Sequence, residues 1–320
     1  MIKKIIIYLL SKIIDFTYNH EKLIKLIEYI RGLYRYPNNM LGRKFPSHFK
    51  EKTDVLVFAA HPDDDVLGIG TTMVRHRLKG DVIRLVFITN GTARGGESWN
   101  TMRRSSEEKT AIRHREAVQA LSLINIPEDN VYGLGYPDGG TQRYLQNIAQ
   151  DIFTIIQKSN PKRIYVHCIE GGHRDHDITS YVVKSVCNKM GFFNVFEWAE
   201  YNPTQPLGTS DIKFLPSKLN KPRETKIEIS KEEQMIKKRM LACHESQDVE
   251  QFFLQGEALR KADMTNIEKD LFELCPLSKR KLTPVVDSFK KLMDKSINKN
   301  FNFNYSEMPY GKRNKAKNRN

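Results

Sequence analysis

Cysteine is scarce, with four in 320 residues. Cys168, Cys187, Cys243 and Cys275 lie far apart and form no CxxC pair, which excludes a disulfide framework and a thiolate zinc knuckle and makes a reducing compartment the expectation. Long apolar runs are missing as well. The run Ile5 to Leu10 follows two lysines and is soon interrupted by Lys12, far short of the ~20 apolar residues that span a bilayer. No small-residue cleavage site follows it, so a cleaved signal peptide is not expected. No internal repeat is visible. Acidic residues are the minority charge: 38 Asp+Glu against 52 Lys+Arg leave a formal charge of +14. Such a balance suits polyanions such as nucleic acid, anionic lipid or phosphorylated sugars, but it is spread thinly and names no partner.

What is present is enough chain for one large α/β domain with extensions. Residues 1–50 read as an amphipathic helical extension, in which apolar clusters alternate with Lys and Arg (KLIKLIEYIRGLYR). That pattern fits a helix on an anionic membrane surface, and fits still better a helix packed on the domain. Residues 51–285 form the domain proper. Residues 286–320 are rich in Lys and Asn, too polar to bury much, and read as a basic, disordered tail. Inside the domain, strand-like runs at Asp54 to Ala60, Val82 to Ile88, Asn130 to Leu134, Arg163 to Ile169 and Asn194 to Trp198 alternate with helical stretches. Those stretches are Val66 to Lys79, Arg104 to Ile124, Gln142 to Lys158 and Ile178 to Met190. This alternation predicts a single Rossmann-like α/β domain with a mostly parallel sheet covered by helices on both faces. Tyr201 to Arg223 reads as a long loop, and Lys231 to Leu259 as helical.

Two clusters fall where such sheets gather reactive groups, beyond the carboxyl ends of strands. AAHPDDDVLG places His61, Asp63, Asp64 and Asp65 in one turn, and CIEGGHRDHDIT places His173, Asp175, His176 and Asp177 after a later strand. Carboxylates this dense repel one another unless a cation offsets them. Mixed imidazole and oxygen donors suit zinc or iron(II) better than calcium or magnesium. Gly171 and Gly172 allow backbone conformations that swing the second cluster toward the first. Taken singly, an HPD turn is often only a helix start and an HxDH only a surface cluster; together they favour a metal.

The ordered set AHPDDD, RxxEA, GYPDG, GGHRDH and HESQ, over roughly Asp54 to Asp248, resembles the LmbE/PIG-L family of zinc-dependent N-deacetylases. The resemblance implies His61, Asp64 and His176 as metal ligands and Asp63 as general base. It implies His173 as the charged group facing the tetrahedral intermediate, with Asp175 between the histidines tuning them, and Arg113 and Asp138 as substrate contacts. The cofactor implied is Zn2+, with Fe2+ or another divalent transition metal as substitutes. The sequence departs from the family at Asp65, where Glu is usual, and at Arg174, where Pro is usual. Arg174 is expected to be an exposed, uninvolved arginine, with an anionic substrate as the sharper alternative. Asp65 and Asp177 are expected to be solvated or capping. Arg113 and Glu116 also fit a surface ion pair, Asp138 sits in a turn signal of its own, and His244 either approaches the site or caps a helix.

The implied activity is removal of the N-acetyl group from an N-acetylglucosamine-type sugar in a glycan, glycolipid or other glycoconjugate, lipid-linked or anionic substrates included. The location expected is cytoplasmic, with peripheral contact at the inner membrane face through the N-terminal helix, and no nucleic-acid partner. Rival readings are an amidase on a non-sugar N-acyl group, a basic nucleic-acid-binding or membrane-binding protein with a degenerate metal site, and an adaptor using only the N-terminal helix and tail.

Overall fold

The strands of the parallel part of the sheet are mostly apolar because both of their faces are covered. In the computed structural model, which describes residues 39–46, 52–92, 104–216 and 222–299 and scattered positions before them, the chain forms β1 (Val55–Ala59), α1 (Asp64–Leu78), β2 (Ile83–Thr89), α2 (Ser106–Ser122) and β3 (Val131–Tyr136). It continues through α3 (Leu145–Ser159), β4 (Arg163–His167), α4 (Arg174–Lys189) and β5 (Val195–Ala199). Next come β6 (Glu224–Ile227), α5 (Lys231–Ala242), β7 (Glu257–Lys261), α6 (Ile267–Leu274) and α7 (Lys279–Lys299). Successive side chains of a strand point to opposite faces. Leu56 and Phe58 accordingly enter one core with α3, α4 and α7, while Val55, Val57 and Ala59 enter the other with α1, α2 and α5.

The seven strands are ordered β3-β2-β1-β4-β5-β7-β6. The first five are parallel, and β7 pairs antiparallel with both β5 and β6. The single α/β domain with a mostly parallel sheet is therefore as expected, but the helical reading of Lys231 to Leu259 is corrected. Helix α5 stops at Ala242 and the chain returns as strand β7. Glu-Ala-Leu-Arg-Lys is a run of helix formers, yet pairing with β5 overrides propensity, as context does in sheets.

The segment containing β7 also shapes α1. At Ile69 the helix is broken (φ −141°, ψ 24°). Glu257 accepts the freed N–H groups of Thr71 and Thr72 at 2.6 and 3.0 Å, and the buried Lys237 ammonium donates to the Leu67 carbonyl at 2.9 Å. Side chains inserted into the helical ladder are a standard cause of a kink. Helix α7 runs through residue 299, across the composition boundary at 286, and residues 300–320 lie outside the described residues. So does almost all of the N-terminal extension. Among the described residues no helix is long and apolar enough to cross a membrane.

Candidate active site

Strands β1 and β4 are hydrogen-bonded neighbours at the middle of the sheet, from which the strand order departs in opposite directions. The crevice beyond their carboxyl ends is where ligands bind in open α/β sheets. The turn after β1 delivers His61 and Asp63 and leads into α1 at Asp64, while the loop after β4 ends on His173, the N-cap of α4, whose first turn carries Asp175 and His176. Gly171 has φ +74°, and a Cβ on Gly172 would stand 2.0 Å from the Tyr201 carbonyl oxygen. Neither position tolerates a side chain, and that lets the second cluster fold back on the first.

Three donor atoms converge. His61 Nδ1 lies 3.2 Å from Asp64 Oδ2, His176 Nε2 lies 3.3 Å from the same oxygen, and the two nitrogens are 3.3 Å apart. Ligands about 2.0–2.2 Å from a tetrahedral zinc are separated by roughly 3.3–3.6 Å, so this triangle has the dimensions of three corners of such a site. All three residues are buried. His61 Nε2 points the other way, to Asp138 Oδ1 at 3.2 Å and Asp175 Oδ2 at 3.5 Å, an arrangement that fixes the ring and leaves Nδ1 toward the triangle. Asp175 in turn accepts the Gly139 N–H at 2.6 Å and the Thr141 hydroxyl at 2.6 Å, docking the PDGG turn on the start of α4.

The electrostatics of the triangle fit a cation. Burial alone would depress His61, but the Asp138 and Asp64 carboxylates hold it well above its usual 6.5. Burial would likewise raise Asp64, yet His176 and His61 hold it well below the carboxylate range.

Asp63 stands apart from the triangle. Its backbone has φ 144°, a region that costs a non-glycine residue about 1–3 kcal/mol, and its side chain makes no helix-cap bond. Instead Oδ1 accepts from Arg113 at 2.9 Å, and Arg113 also donates to the Pro62 and Gly91 carbonyls, each at 3.0 Å. Burial pushes Asp63 up to about 6, with Arg113 opposing. His173 caps α4, its Nδ1 accepting the Asp175 N–H at 3.2 Å, so its proton sits on Nε2. Burial and then His61 push His173 down to about 4. That direction runs against the charged imidazole expected at this position.

Several expectations change. Asp65 is not solvated: its carboxylate is enclosed at the start of α1, close to the Asp65 and Val66 backbone N–H groups, and burial beside Asp63 and Asp64 raises it well above the carboxylate range. Asp177 is fully buried and accepts the Glu170 and Gly171 N–H groups, tying the glycine loop together. Glu116 is no surface partner of Arg113, because it accepts the Ser246 N–H and hydroxyl at 2.9 and 2.6 Å. His244 comes to the site. It is 1% exposed, burial and then the neighbouring Arg113 push it to about 3, and neither ring nitrogen has a partner among the described residues. Arg174 lines a cavity.

Sequence reasoning missed His167 and Glu200. His167 Nε2 accepts the Ala60 N–H at 3.1 Å and lies 3.3 Å from Asp64 Oδ2, while Nδ1 faces Glu200 Oε2 at 3.3 Å. Asp64, His167 and His176 also form a compact set of donor atoms. The lone pair of His167 Nε2 is taken up by Ala60, which leaves His61 as the better third ligand. A polar residue closing an otherwise apolar strand was the only signal.

Residues 56–187 match the PIG-L family model, described as GlcNAc-PI de-N-acetylase. The chain is 22% identical over 175 residues to the uncharacterized deacetylase YaiS of Escherichia coli (strain K12), an alignment covering 52% of this chain and 87% of that protein. A triple mutant of the deacetylase of the teicoplanin biosynthetic pathway has a similar structure, with TM-score 0.52 and 17% identity over 65% of this chain and 97% of that one. The N,N'-diacetylchitobiose deacetylase of Pyrococcus horikoshii is similar with TM-score 0.51 and 19% identity, over 74% of this chain and 92% of that one. At these identities the solved structures share the fold.

Proposed function

The chain carries a PIG-L family domain, a deacetylase family, over residues 56–187, and on that premise we propose that it is a zinc-dependent N-deacetylase of an N-acetylglucosamine-type sugar within a glycan, glycolipid or glycoconjugate. The observation that carries this reading is the 3.2–3.3 Å triangle of His61 Nδ1, Asp64 Oδ2 and His176 Nε2. These three are the proposed ligands of zinc or iron(II), with a coordination position left over, as in catalytic rather than structural sites. A bound ion there supplies a water of lowered pKa and a Lewis acid for the acetyl carbonyl.

The remaining roles belong to side chains. Asp63, raised to about 6 and free of the triangle, is ionised at neutral pH and takes the proton of the attacking water. Arg113 holds that carboxylate in place. Protonated Asp63 then returns the proton to the leaving amine. His173 Nε2–H is a neutral donor for the negative charge that develops on the carbonyl oxygen, and Asp175 fixes both His61 and His173. Asp138, whose Oδ2 stands 4.0 Å from Arg113, is proposed with Arg113 to contact the sugar. The family description and the chitobiose deacetylase relative favour an acetamido sugar over a non-sugar amide. Four free thiols accord with work in a reducing cytoplasm.

The test is a free-amine assay with zinc-loaded protein against free, nucleotide-linked and lipid-linked acetamido sugars and against non-sugar N-acetyl amides. Turnover confined to acetamido sugars is expected. Turnover of the non-sugar amides alone, or of nothing in the panel, contradicts the reading.

A further inference from the structure

The two histidines of the triangle are held in different ways. His61 turns its second nitrogen, Nε2, to the Asp138 and Asp175 carboxylates at 3.2 and 3.5 Å. A partner of that kind is the usual device that orients a metal-binding imidazole. His176 has none: its Nδ1 is enclosed and meets no hydrogen-bond partner among the described residues. Its ring is packed instead. The His167 ring stacks on it with centroids 4.0 Å apart and 22° between the planes, and the Tyr201 ring stands nearly perpendicular to it, at 5.3 Å and 74°. Stacked and edge-to-face contacts are the arrangements that aromatic quadrupoles favour, and each restricts how a ring can turn.

Both contacts are supported from the end of β5. Glu200 Oε2 accepts the Trp198 indole N–H at 3.0 Å and faces His167 Nδ1 at 3.3 Å, and the Trp198 ring packs on the His167 ring at 4.4 Å. His167 Nε2 accepts the Ala60 N–H at 3.1 Å, so the ring has a polar neighbour at each nitrogen. Tyr201 is tied down by Glu170, a buried carboxylate in the loop after β4, which accepts the Glu200 and Tyr201 N–H groups at 2.8 and 3.2 Å. Gly172 gives the tyrosine its room, because a Cβ there would stand 3.0 Å from ring carbon Cδ2. Trp198, Glu200 and Tyr201 all lie beyond residue 187, where the family match ends. We propose that His167 and Tyr201 are positioning residues for His176, clamping its ring by packing so that Nε2 stays directed at Asp64 Oδ2, 3.3 Å away. The affinity of the site for its ion then depends on their aromatic rings rather than on their polar atoms. The inference rests on His176 being a metal ligand and not on which amide is hydrolysed.

The test compares paired variants of the full chain. Tyr201→Phe and His167→Phe keep a ring, whereas Tyr201→Leu and His167→Gln remove it. Zinc affinity is measured by chelator competition, the visible absorption of the cobalt(II)-loaded protein reports ligand geometry, and urea unfolding of each metal-free variant checks that it is folded. The phenylalanine variants are expected to bind zinc within about threefold of wild type, and the ringless variants to bind at least about tenfold more weakly with an altered cobalt spectrum. A ringless variant that binds zinc as tightly as wild type overturns the clamp. So does a phenylalanine variant that loses as much as its ringless counterpart; at position 167 that result would make the imidazole nitrogens, and not the ring face, the feature that matters. If a His167 variant does not fold, the Tyr201 pair decides. Absence of zinc binding in wild type overturns the ligand reading of His176 and the clamp with it. Zinc binding without turnover of any acetamido sugar defeats only the deacetylase reading, and the variants still decide the clamp.

Discussion

Glu116 on α2 accepts the hydroxyl of Ser246 at 2.6 Å and its N–H at 2.9 Å, across 130 residues of chain. The contact joins two motifs that mean little alone. Arg113, one helical turn before Glu116, reaches Asp63, while the turn that holds Ser246 also carries His244 to the same guanidinium. The HESQ turn is thus built onto the helix that positions the proposed base.

Glu116→Gln and Ser246→Ala should each destabilise the fold by about 1–3 kcal/mol, the range for losing a buried hydrogen bond to a charged group. Urea unfolding of the two single variants and the double variant closes a mutant cycle. A coupling of about 1 kcal/mol or more is expected, and additive losses would show that the two side chains act independently.

Asp63→Asn should keep the metal and lose about 100- to 10,000-fold in kcat, the span attributed to a general base. Parallel zinc analysis and amine-release kinetics check this. A variant that loses its metal would mean that Asp63 is a ligand.

His244 gives a pH signature in stability. The unfolded imidazole takes its proton near 6.5, whereas burial keeps the folded one neutral down to about 3. Below pH 6.5 the unfolded state therefore binds a proton that the native state does not, and stability present above pH 6.5 is lost as pH falls toward 3. Between pH 7 and pH 5 the loss from this one group is about 2 kcal/mol. Urea unfolding of wild type and His244→Gln at both pH values should show the variant losing less by that amount. Identical losses would place His244 in contact with solvent.

The parallel half of the fold was legible because strands covered on both faces read as largely apolar runs, and β1 and β4 each lead into a polar cluster. Strands β6 and β7 were not. The β6 segment Glu-Thr-Lys-Ile is mostly exposed, and β7 is composed of helix formers, so only pairing with β5 makes either a strand. Both His/Asp clusters were legible from composition, but not which atoms would meet. His167 reads as one more strand residue until the sheet sets it 3.3 Å from Asp64, and Arg174 reads as exposed where the fold half-buries it.

The central claim is that His61, in the turn after β1, and His176, in the first turn of α4, hold one ion together with Asp64. Competition with a chromogenic chelator measures it directly, through the zinc stoichiometry and affinity of wild type, His61→Ala and His176→Ala. One tightly held zinc per wild-type chain is expected, with each single variant weaker by at least about tenfold. A variant at either position that binds zinc as tightly as wild type would contradict the shared site.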